Sequence, residues 1–227
     1  MTGFPSPLRG GTRGGVETPR ALAQPKLLSA ASPDWQPSTF ALSCAPMVYP
    51  LPPVFARTVP DGDTHERAVC ENCGFVNYEN PKIVVGSVVR HEGRILLCRR
   101  AIEPRHGFWT VPAGFMELHE TPEDGARREA REEANAALMI DGLLAIYSVP
   151  RLSQVQLIYR ATLAEPAFSA GEESLDVALF SWDEIPWGDL AFPTVHWMLR
   201  HERMVQDGRG VAPFANPPGE NGDARPR

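Results

Sequence analysis

The chain has 227 residues, 43% of them hydrophobic, and a formal net charge of −6, which suits one medium domain with tails. The acidic balance and the lack of a Lys/Arg cluster argue against a surface that tracks a nucleic-acid backbone, and no apolar run reaches the length of a membrane span. Four cysteines, at 44, 70, 73 and 98, do not form a disulfide framework and fit a reducing compartment such as the cytoplasm.

Residues 1–46 are rich in Pro, Gly, Ser and Ala and hold no lasting apolar period. With the Pro-rich run at 50–53, they make residues 1–60 read as a disordered tail. Arg9, Arg13 and Arg20 outnumber Glu17 and Asp34 there, loosely like an organellar transit peptide, the alternative to a cytoplasmic location. The change of composition at Met47 raises a third reading, an over-extended reading frame, which an intact mass of the native protein would decide.

Residues 61–80 contain Cys70-Glu71-Asn72-Cys73-Gly74, one half of a zinc ribbon. Upstream, Cys44 is followed at the matching spacing by Met47, a poor zinc ligand. Cys70 and Cys73 with His65 give three ligands where a structural site wants four, so a knuckle that keeps its turn without Zn²⁺ is the competing reading. From Lys82, KIVVGSVVR is a β-branched strand, His91-Glu92-Gly93 a turn and RILLCRR a second strand, together a hairpin. Cys98 in that strand reads as a packing residue rather than a nucleophile. Strands are expected again at 138–149, 155–163 and 177–182, then a helix over 192–205, and residues 207–227 read as a second disordered tail.

The most informative stretch lies between these strands, GFMELHETPEDGARREAREEANA at 114–136. Thr121 is a good N-cap, Pro122 suits the first helical position, and Asp124 is placed as the acidic member of a capping box. On the helix that follows, Ala126, Ala130 and Ala134 make one stripe, Arg127, Arg128 and Arg131 a second, and Glu129, Glu132 and Glu133 a third. Charges pair at i,i+4 as Glu123 with Arg127, Asp124 with Arg128 and Arg128 with Glu132, but Glu129 faces like charges, at about 0.2–0.5 kcal/mol each. A bound Mg²⁺ or Mn²⁺ would remove that repulsion, since hard carboxylate oxygens are what these ions accept. Gly125, one turn earlier, would let a phosphate approach. The competing reading is a solvated, charge-laced surface helix.

The spacing of Gly114, Glu120, Arg128, Glu129, Glu132 and Glu133 resembles the Nudix box, with Asn135 and Ala136 where that box has Gly and a larger aliphatic residue. At average residue usage, six such positions agree by chance on the order of once in ten million starts, which makes coincidence implausible. The resemblance implies an α/β/α sandwich with a mixed sheet over residues 81–206, and hydrolysis of a pyrophosphate that links a nucleoside to another moiety. It also implies metal ligation by Glu129, Glu132 and Glu133 with the backbone carbonyl of Ala113. Arg128 would orient a carboxylate, and Glu120 would serve as ion-pair residue or outer ligand. The general base is a box glutamate or comes from a later loop, where Glu172, Glu173 and Asp176 are candidates against a solvated-loop alternative.

Pro60-Asp61-Gly62, the Cys70 knuckle and Asn80-Pro81-Lys82 resemble a Nudix subgroup with an N-terminal zinc ribbon, degenerate here, which includes plant FAD pyrophosphatases. FAD or an ADP-ribose-like nucleotide is therefore the expected small-molecule partner, with neither nucleic acid nor membrane. NADH is an alternative, weakened because residues 147–154 (YSVPRLSQ) replace the proline-rich tract of NADH pyrophosphatases. Pro150 points weakly to ADP-ribose-like substrates, and Trp109, Tyr147, Phe168 and Trp182 could stack on a base or flavin, or pack the core. A non-catalytic nucleotide sensor and a protein-interaction module are the readings from other classes. Homodimers are common among Nudix proteins of this type.

Overall fold

A computed structural model describes residues 52–222; the readings of residues 1–46, of Cys44 and Met47, and of the last five residues lie outside it. Strands β1 (Phe55–Thr58), β2 (Arg67–Cys70) and β3 (Val76–Asn77) form an antiparallel three-stranded sheet. β1 falls within the stretch expected to be tail. The strand has no buried side, so no hydrophobic alternation announced it, and cross-strand pairing with β2 alone defines it. The Cys70 knuckle is closed by Gly74 N–H to the Cys70 carbonyl (2.8 Å) and Cys70 N–H to the Phe75 carbonyl (2.8 Å).

The expected hairpin is β4 (Lys82–His91) and β5 (Arg94–Arg100), but its strands pair with each other only beside the turn, at Arg90↔Ile95 and His91↔Arg94. Beyond that the two strands splay. The gap is filled by β6 (Trp109–Thr110), which pairs with β5, and β7 (Ala113–Phe115), which pairs with β4. Gly86 permits this, because a Cβ there would lie 2.4 Å from the Cβ of Ala113.

Helix α1 (Pro122–Ala134) follows, then β8 (Leu138–Val149), β9 (Gln154–Leu163), β10 (Ser174–Phe180) and helix α2 (Pro193–Gln206). The sheet runs β10-β5-β4-β9-β8. β4 and β9 are parallel while the other pairings are antiparallel, so the sheet is mixed as expected.

The two helices cover opposite faces of this sheet, because alternate strand residues point opposite ways. The alanine stripe of α1, fully buried at 126, 130 and 134, packs on Val85, Val89, Cys98 and Ala161. Small residues let the helix lie close to the strands. On the other face, Val195, Trp197, Met198 and Leu199 of α2 join Val88, Leu97, Leu144 and Ile158 in the larger core. Burial of each large side chain there contributes roughly 1.5–3 kcal/mol.

Residues 208–222 depart from the expectation of a disordered tail. Phe214 pairs with the outer edge of β8 through its N–H to Leu144 (2.8 Å) and its carbonyl to Ile146 (2.9 Å), and stacks on His201 at 4.2 Å. Trp197 donates to Glu220 (2.7 Å), and Asn216 bonds both backbone groups of Ser148. Its Pro- and Gly-rich composition hid this, because the order comes from distant partners and not from a local period. The segment also covers the exposed edge of β8.

Candidate active site

Helix α1 begins where its capping residues predict: Thr121 accepts from Asp124 N–H (3.1 Å) and Pro122 is the first helical residue. It ends at Asn135, whose φ of 48° is left-handed, a conformation Asn tolerates better than most residues. β7 brings Gly114 beneath the helix, where a Cβ would lie 2.4 Å from both carboxylate oxygens of Glu129. The box glycine thus makes room for a box glutamate. Gly125 does the same for structure: a side chain there would meet Glu120 at 2.7 Å and Val85 at 2.8 Å. It is buried in the helix–sheet contact, so the expected approach of a phosphate to Gly125 is corrected.

Arg128 is the hub of the site. It holds Glu120 with two bonds (2.8 and 3.0 Å), Glu129 (2.7 Å), Glu132 (2.9 Å) and the Phe115 carbonyl (3.0 Å). The expected pair with Asp124 does not form, since Asp124 binds Arg127 and the cap, while Glu123 takes the Tyr159 hydroxyl instead of Arg127. Glu120, which also accepts Glu117 N–H, is held at about 2, chiefly by Arg128. Both of its oxygens are engaged, one by Arg128 and Glu117 N–H and the other by Arg128.

Glu129 and Glu133 point inward from α1 and are 8% and 6% exposed, whereas Glu132 remains outside. Burial raises Glu129 despite its bond to Arg128. Glu133 is pushed up to about 8, mainly by burial and against the pull of a single bond from Ala113 N–H (3.1 Å). Two carboxylates with so little compensating charge are an all-oxygen donor set that suits a hard divalent cation. Among the described residues, no group of three acidic, His or Cys side chains is placed so as to hold a metal ion, and Arg128 bonds both Glu129 and Glu132.

The loop after β9 closes the C-terminal end of α1. Ser169 N–H bonds the Ala134 carbonyl (2.9 Å), Gly171 N–H the Glu133 carbonyl (3.1 Å), and the Asn135 amide reaches Ser169 and Ala170. This brings Glu173 near enough to raise both Glu129 and Glu133. Glu172 is exposed on the same turn. Asp176 lies farther along, opposite Arg99 on β10, where its carboxylate accepts Val177 N–H (2.9 Å).

Arg100, across from Ser174, acts on Glu133 as an opposing positive charge. Sequence reasoning did not nominate it; a cation at the end of a strand that flanks the acidic loop was the usable signal. Of the expected stacking residues, Tyr147 is fully buried, Trp109 is partly buried and packs edge-on against Phe180 at 4.9 Å, and Phe168 is partly buried against the cluster that holds Ala130 and Ala134. Trp182 instead lies beside α2, its indole bonded to Gln206.

The Cys70 knuckle fits zinc poorly. Cys70 is held below the usual thiol value by hydrogen bonds from Asn72 and Cys73, but His65 turns to Thr64 and Asp63 instead of the thiols. Cys98 is buried in β5, where burial raises it, as its packing role predicts. Among the described residues, only two thiols remain for the knuckle.

Residues 80–199 match the NUDIX domain family, and residues 53–79 match the Nudix N-terminal zinc-ribbon family. A solved NUDIX hydrolase from Nitrosomonas europaea is 44% identical, with a TM-score of 0.68 over 71% of this chain and 92% of that one. A MutT-like protein of Streptomyces ambofaciens is 36% identical over 45% of this chain and 64% of its own length, so this chain spans just under two thirds of that relative. An ADP-ribose pyrophosphatase of Methanocaldococcus jannaschii is 27% identical over 57% of this chain and 74% of that protein. The box geometry, a family match over more than half of the chain and this 44% identical structure together make the protein a member of the Nudix hydrolase family.

Proposed function

We propose that this Nudix hydrolase cleaves the pyrophosphate of a nucleoside diphosphate linked to another moiety, with an ADP-ribose-like compound as preferred substrate and Mg²⁺ or Mn²⁺ as its cation. The observation that carries the catalytic reading is the pair of buried carboxylates, Glu129 and Glu133, set beside Arg128 on one helix. The similarity to the ADP-ribose pyrophosphatase supports the substrate class. FAD, from the ribbon-subgroup resemblance, and NADH are the competing substrates.

Glu129, Glu132 and Glu133 with the Ala113 carbonyl would hold the cation, which supplies charge neutralisation at the pyrophosphate. Arg128 keeps the glutamates in place, and Glu120 fixes Arg128 through two parallel bonds. Glu173 is the favoured base, because it lies beside the buried pair while the carboxylate of Asp176 caps its own strand. It would take a proton from the water that attacks phosphorus, releasing two monophosphates. The test is a screen with Mg²⁺ or Mn²⁺ over ADP-ribose, FAD, NADH, CoA, diadenosine polyphosphates and nucleoside triphosphates, with a phosphatase to reveal monophosphate products. Preferential turnover of ADP-ribose is expected. Preference for FAD or NADH would replace the substrate, and no turnover of any would overturn the catalytic reading in favour of nucleotide sensing.

A further inference from the structure

On the outer side of α2, away from the box helix, lies a cavity of about 550 Å³, within the usual range for small-molecule sites. His196, Arg200, Arg203 and Met204 line it from one helical face, and Trp182, Trp187 and Arg209 complete it. Its charge runs against that of the chain. Arg203 and Arg209 share a single carboxylate, Asp207, and Arg200 has no acidic partner among the described residues. Three guanidinium groups therefore face one acid in a protein whose net charge is −6.

Its walls are aromatic. Trp187 stacks on His196 with centroids 5.9 Å apart and remains 37% exposed, while Arg203 covers Trp182 at 5.2 Å. A bare anion would have no use for these rings, and an apolar ligand would leave the arginines unanswered. The combination suits a planar ring stacked on an indole, with an anionic group a few ångströms away.

We propose that this cavity is a second nucleotide site, which takes a mononucleotide with its base on Trp187 and its phosphate at Arg200 and Arg203. None of its residues belongs to the catalytic machinery, so the site stands apart from the reading of the reaction. The test is equilibrium binding of AMP to the full chain in EDTA, with adenosine and inorganic phosphate as comparison probes. AMP should bind at least about tenfold more tightly than either fragment, since each lacks one half of the recognised chemistry.

Arg200→Ala and Trp187→Ala should each weaken AMP binding about tenfold or more, and Trp187→Phe should restore most of it. Arg200 is exposed and makes no structural pair, so its variant should fold as the parent does. AMP affinity unchanged in both Arg200→Ala and Trp187→Ala would overturn the site. So would the absence of saturable AMP binding up to about 1 mM, or a change of oligomeric state in Trp187→Ala, which would make this face a protein interface instead.

Discussion

Glu133 is placed where a carboxylate is hardest to ionise, and its behaviour should report on the site. Its folded value of about 8 lies above the ordinary 4.5, so between those values the folded chain holds a proton that the unfolded chain releases. Stability from this group therefore falls as pH rises from about 4.5 to about 8. Denaturation in EDTA across that range should show the decline, and Glu133→Gln should flatten it. Cation binding requires the ionised form, so affinity for Mg²⁺ should rise over the same window. Glu133→Gln should also lower kcat by about a hundredfold or more while the fold persists; unchanged turnover would remove Glu133 from the ligand set.

At the scale of elements, α1 depends on what closes its end and α2 on what anchors its middle. A Cβ on Gly171 would fall 1.7 Å from the Glu132 carbonyl, so Gly171→Ala must displace the loop that carries Glu173. Steady-state kinetics should show a fall in kcat larger than any change in KM, with circular dichroism unaltered. Normal kcat would mean that the loop does not deliver the base. On α2, Glu202 is fully buried, bonded twice to Arg160 (2.7 and 3.1 Å), once to Gln206 (3.0 Å) and paired with Arg90 at 3.3 Å. Glu202→Gln leaves two arginines without their shared charge, and should cost about 3 kcal/mol in urea unfolding. The low end of the usual range applies because both arginines retain some contact with water.

For the whole molecule, the last described segment is a structural part of the domain. Removing residues 208–227 should uncover the edge of β8, the His201 ring and the Trp197 indole. Thermal unfolding should then occur several degrees lower, with more aggregation than in the full chain. An unchanged midpoint would return the segment to the status of a tail.

The sequence by itself determined the box helix, its caps and its three chemical faces, because capping and 3.6-residue periodicity act within one or two turns. It also determined the five long strands of the main sheet, through apolar runs that need no distant partner to be read. The tertiary structure alone decided that the hairpin splays to admit residues 109–115, and that Glu173 and Arg100 come close enough to act on the buried Glu133. It likewise decided the fate of residues 208–222 and the meeting of three arginines with two tryptophans beside α2. Each of these joins residues far apart in the chain, where burial and long-range pairing, not local preference, set the geometry.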